Sequence, residues 1–182
     1  ELGIKGVISG GQSMNPSTDD ILSMAEKINA ENVFVFPNNK NIILAAEQAK
    51  KLFDGNMIVI PTTSMAHVFP VMMMYDENAP VETLEQMFKD ALSNVKTGQI
   101  TYAVRDSVVN DIEIKEGDIM QLVEDKVVDI EKDRESAILA VLDKIVDEDT
   151  EVVTVYAGED VDEDEYSAML EKAEERFPDC DI

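Results

Sequence analysis

The sequence predicts an α/β fold in two parts, a parallel-sheet α/β subdomain over residues 1–78 and an α+β subdomain with a mixed or antiparallel sheet over residues 79–182. Two observations point there. In the first part, short apolar runs alternate with helical periodicities, the pattern of parallel strands joined by crossover helices. In the second, strands of alternating character are separated by tight turns. The change of style falls at "DENAP", residues 76–80, where turn residues cluster.

"IKGVIS" (4–9) reads as the first strand, and "NPSTDDILSMAEKIN" (15–29) as a helix with Ile21, Ala25 and Ile28 at helical spacing. "NVFVF" (32–36) is the second strand, stopped by Pro37. "NKNIILAAEQAKKLF" (39–53) follows as a helix with Ile42, Ala46, Ala49 and Phe53 along one face, and "NMIVIP" (56–61) is the third strand. Val33–Phe36 and Met57–Ile60 are continuously apolar, as strands covered on both faces are. "SMAHVFPVMMMYDENAP" (64–80) begins as an apolar helix and ends in turn residues. "VETLEQMFKDALSNV" (81–95) is a helix with Leu84, Met87, Phe88, Ala91 and Val95 inward. The strands "GQITYAVRD", "DIEI", "DIMQLV" and "KVVDIEK" then form a predicted antiparallel meander with turns at "KEGD" and "VEDK". A helix bearing Ile138, Leu139, Leu142 and Ile145, the strand "EVVTVY" (151–156) and the helix "DEDEYSAMLEKAEERF" (162–177) complete the reading, and "DCDI" resembles the start of another strand.

Composition narrows the function classes. The 182 residues are 45% hydrophobic and 30% charged, which suits a globular chain able to bury one or two cores. Residue 1 is Glu with no leader pattern after it, so the chain is read as a piece of a longer protein. No run approaches the roughly 20 apolar residues of a spanning helix. The single cysteine, Cys180, supports neither an internal disulfide framework nor a cysteine-based zinc site, and the expected compartment is the cytoplasm. The net charge is −24, unevenly spread: residues 1–100 carry 7 basic and 12 acidic side chains, residues 101–182 carry 8 and 27. Such a field repels nucleic acid and anionic lipid and attracts a basic protein surface.

Ligands of open parallel sheets bind beyond the carboxyl ends of the strands. Those ends carry Gly10, Gly11, Gln12, Ser13, Asn15 and Ser17; then Asn38, Asn39, Lys40 and Asn41; then Thr62, Thr63 and Ser64. All are rich in hydroxyl and amide groups, and each segment precedes a helix whose free N–H groups suit an anion. Helix capping is the competing reading. Asn15 with Pro16 behind it, Asn38 or Asn39, and Thr63 or Ser64 are all good starts, and Asp19 and Asp20 favour a helix N-terminus. Capping leaves Gly10, Gly11, Gln12 and Lys40 unexplained, so both readings stay open. Neither nucleotide-binding glycine pattern is present.

His67, the only histidine, reads as a packed, hydrogen-bonded residue, and no second histidine or nearby cysteine suggests a metal site. The run Met72-Met73-Met74-Tyr75 is expected to fill the core, with a lining for an acyl chain or an adaptable docking surface as alternatives. "GEDVDEDEY" is acidic as helix starts are, without the spacing of a paired acid and base. No nucleophile–base set is visible, which describes a binding module and not a catalyst.

"GGQSMNPSTDDIL" (10–22) followed by "PNNKNIILAAEQA" (37–49) closely resembles the C-terminal region of the fatty acid kinase subunit FakA, the YloV or dihydroxyacetone-kinase-like family; "KTGQITYAVRDS" and "VTVYAGEDV" resemble further blocks of it. The resemblance covers essentially the whole chain. It implies a fold like that of the DegV-type carriers, in which "GGQSMNPSTDDIL" corresponds to a carboxylate-binding loop. Gln12 and Ser17 match its polar groups, and Gly10-Gly11 stands where carriers have threonine and serine. It also implies a parent chain in which an N-terminal domain uses ATP and Mg to phosphorylate the carboxyl group of a fatty acid held by a FakB-type fatty-acid-binding protein. This chain would carry no cofactor of its own, help to recognise that carrier, and sit in a parent able to form homodimers. The second reading is a small-molecule module for a fatty acid or another carboxylate or phosphate.

Overall fold

The computed structural model describes residues 3–10 and 15–182. They form a mixed α/β protein that divides into two compact units, Glu1–Val95 and Lys96–Ile182. The division therefore falls at 95/96 instead of the expected 78/79.

The first unit comprises helix α1 (Thr18–Ile28), strand β1 (Asn32–Val35), α2 (Lys40–Leu52), β2 (Asn56–Val59), α3 (Met65–Met73) and α4 (Val81–Asn94). β1 and β2 are parallel neighbours, with Val33 opposite Met57 and Val35 opposite Val59. Because side chains alternate across a strand, the odd and even positions feed two different cores. Val33, Met57 and Val59 pack with Ile21 and Ala25 of α1 and Ala46 and Ala49 of α2. Ile58 and Ile60 pack on the other face with Val71 of α3 and Leu84 and Phe88 of α4. Phe34 meets the Phe88 ring edge-on at 5.1 Å, and Phe36 lies 5.8 Å from it. The continuous apolarity of these strands is thus explained by helices on both faces. The same core explains the boundary: α4 supplies Leu84 and Phe88 to it and belongs with the first unit.

Residues 4–9 are not a strand. Among the described residues this unit has two parallel strands where three were expected. The segment contacts α1 through Gly6, whose missing Cβ would sit 2.7 Å from Met24 Sδ, while Val7 is 78% exposed. Local β propensity without a ladder partner leaves no regular structure there.

The second unit contains β3 (Gly98–Tyr102), β4 (Ser107–Val109), β5 (Ile112–Ile114), β6 (Ile119–Val123), β7 (Lys126–Glu131), α5 (Arg134–Ile145) and α6 (Glu163–Arg176). β3, β6 and β7 form an antiparallel sheet in that order, and β4 and β5 form a separate hairpin. The unit is therefore not a simple meander. Asn110 and Asp111 both hold positive φ, 51° and 64°, and this turn folds β4 onto β5 as an excursion between β3 and β6. Glu124 and Asp125, with φ of 49° and 60°, make the β6–β7 turn in the same way.

α5 covers the sheet with Ala137, Val141 and Leu142 fully buried; of the expected Ile138, Leu139, Leu142 and Ile145, Leu142 is buried and the other three are half-buried. The helix approaches β3 closely: a Cβ at Gly98 would stand 2.2 Å from Val141 Cγ1 and 3.3 Å from Ile145 Cδ1. "EVVTVY" is not a regular strand either. It makes one isolated parallel bridge, Val152 with Asp181, in which Val153 N–H donates to Asp181 O and Asp181 N–H to Glu151 O.

Candidate functional site

The loops at the carboxyl ends of β1 and β2 lie together, as a parallel pair requires. Asn38, held in the left-handed region at φ 58°, donates its backbone N–H to Thr62 Oγ1 at 3.0 Å. The Thr62 hydroxyl, fully buried, donates in return to Asn38 Oδ1 at 2.8 Å. Asparagine is the non-glycine residue that best tolerates this backbone conformation. Asn38 Nδ2 also reaches Met65 Sδ at 3.0 Å, which connects the second loop to the start of α3.

The neighbouring candidates begin helices. Asn39 Oδ1 accepts from Asn41 N–H at 2.8 Å and caps α2; Ser64 Oγ accepts from Ala66 N–H at 3.2 Å and caps α3. Thr63 N–H donates to His67 Nδ1 at 3.3 Å, and His67 is buried, a packed residue as its setting suggested. Lys40 is exposed at the first position of α2. In the first loop, Gly11, Gln12 and Ser13 lie outside the described residues; Gly10 and Asn15 are exposed.

The cap of α1 is Ser17 and not Asn15. Ser17 Oγ accepts from Asp20 N–H at 3.2 Å, while Ser17 N–H donates to Asp20 Oδ2 at 2.9 Å, a reciprocal capping box. The Ser17 hydroxyl and then its backbone N–H hold the Asp20 carboxyl below the usual carboxylate range. Thr18 Oγ1 reaches Ala45 O and Gln48 Oε1 on α2 at 3.4 and 3.3 Å.

Two features of the first and second units were not anticipated. Met73, Met74 and Tyr75, expected in the core, are exposed. α3 buries His67, Val68 and Val71, and the methionine run continues past that face into solvent. In the second unit, Arg134 bonds Tyr102 Oη through Nε and Glu165 Oε2 at 2.8 Å through Nη1, contacts Asp160, and lies over the Tyr102 ring at 5.2 Å. This residue fastens the loop before α6 to β3 and to α6. A groove of about 250 Å³ lies between Val152–Val155, Tyr166 and Leu170 of α6, and Asp181–Ile182. Among the described residues no three His, Cys, Asp or Glu side chains converge as a metal site, and no helix is long and apolar enough to cross a membrane.

The family model for the C-terminal region of FakA-like fatty acid kinase subunits matches residues 1–182. The chain belongs to this family. Among its relatives are uncharacterised proteins of Staphylococcus aureus strains USA300 and COL, each 38% identical over 181 residues, and one of strain MRSA252 at 37%. Each alignment takes in 100% of this chain but 33% of the relative, so the chain spans about a third of the length of the curated relatives it matches. The polar loops, the outer side of α3 and the Arg134 clamp are thus features of a chain that belongs to the FakA-like C-terminal family.

Proposed function

We propose that this chain is the C-terminal accessory domain of an ATP-dependent fatty acid kinase, acting in the cytoplasm, and that it helps to recognise the FakB-type carrier that presents the fatty acid. The observation that carries this reading is the family match along all 182 residues. The loops lack a phosphate-cradling glycine pattern, so this reading assigns ATP and Mg to the kinase domain of the parent chain. The acidic balance of the second unit, 9 basic against 27 acidic side chains, favours a carrier surface that is basic. Titrating loaded carrier into the protein at low and at high salt tests this. Binding that weakens as salt rises is expected, and no binding at low salt refutes the role.

A small-molecule reading draws on one placement, the Asn38–Thr62 pair at the carboxyl ends of adjacent parallel strands with Lys40 beside it. Fatty acids and acyl phosphates should then shift the amide resonances of Asn38, Lys40 and Gln12. Unchanged resonances at saturating ligand remove that reading.

A further inference from the structure

We draw no further inference here: the strongest candidate, the groove between Val152–Val155, Tyr166 and Leu170 of α6, and Asp181–Ile182, carries none because nothing in the structure shows what covers it.

Discussion

Replacing Thr62 with valine swaps a hydroxyl for a methyl at constant shape, at a side chain that is fully buried. Two hydrogen bonds go with the hydroxyl, the one from Asn38 N–H at 3.0 Å and the one to Asn38 Oδ1 at 2.8 Å. A backbone N–H left without a partner away from water costs about 1–3 kcal/mol. The half-buried Asn38 side chain can turn to water for its own partner, so the second bond adds little. Against this stands about 0.8 kcal/mol gained from an extra buried methyl. The balance is a loss of about 1–2 kcal/mol.

Thr62→Ser makes the opposite exchange. It keeps both bonds and gives up one methyl, for a loss of about 1 kcal/mol or less. Valine is therefore expected to be the more damaging change, which lowers the thermal midpoint by about 2–4 °C per kcal/mol in a chain of this size. Burial alone orders the two the other way, with valine stabilising. Urea unfolding of the three proteins, followed by circular dichroism with the slopes compared, separates the arguments. A valine variant as stable as the unchanged protein would refute the hydrogen-bond account. Asn38→Gly supplies a second check: it suits φ 58° and keeps the N–H, so valine at position 62 should cost nearly as much in that background.

Gly98→Ala should destabilise by about 1–3 kcal/mol, since its Cβ would stand 2.2 Å from Val141 Cγ1; adding Val141→Ala should recover part of the loss, and simple additivity in denaturation would count against the close approach. Gln121 is fully buried with Nε2 lacking a partner, and its Oε1 accepts from the exposed Lys144 at 3.2 Å. Gln121→Leu should accordingly be neutral or stabilising by about 1 kcal/mol, whereas a clear loss of stability would show that the amide is satisfied. Asp20 is held below the usual range by Ser17, and Asp133 by the backbone N–H and then the hydroxyl of Ser136. With folded pKa values below the unfolded ones, their contribution is present above the ordinary carboxylate pKa and fades as pH falls through the lowered values. Asp20→Asn and Asp133→Asn should thus lower the urea midpoint near pH 7 and converge on the unchanged protein in acid; a gap that persists at about pH 2 rules this out.

The first unit was legible where one signal determined both element and environment. Val33–Phe36 and Met57–Ile60 are apolar at every position, and only a strand with helices on both faces buries them all. "IKGVIS" carries a similar local signal, but strand formation depends on a partner, and its own sequence says nothing of one. The α5 face was legible in part. Leu142 is buried and Ile145 reaches Gly98, but Ala137 and Val141 lie deeper than Ile138, Leu139 and Ile145 because Gly98 admits the helix so closely. Apolarity ranks side chains and does not report how near two backbones come. Of the candidate site, the grouping of Asn38 with Thr62 followed from the parallel pairing, while the exposure of Met73 and Met74 did not follow from their hydrophobicity. The spacing of Met65, Phe69 and Met73, away from the face of His67, Val68 and Val71, was the available signal.

The physical state of the polar loops bears on which reading of function is cheaper for the molecule. A carboxylate entering beside Thr62 has to take donors that already have acceptors: Asn38 N–H is held by Thr62, the Thr62 hydroxyl by Asn38, and the Asn41 and Ala66 amides in the first turns of α2 and α3 by Asn39 and Ser64. Each exchange returns only the difference between two hydrogen bonds of similar strength, about 1 kcal/mol at best. Capturing a charged ligand from water requires more than that, and Lys40, at the first position of α2, is exposed and screened. The Asn38–Thr62 pair is therefore a costly place for a small anion to enter.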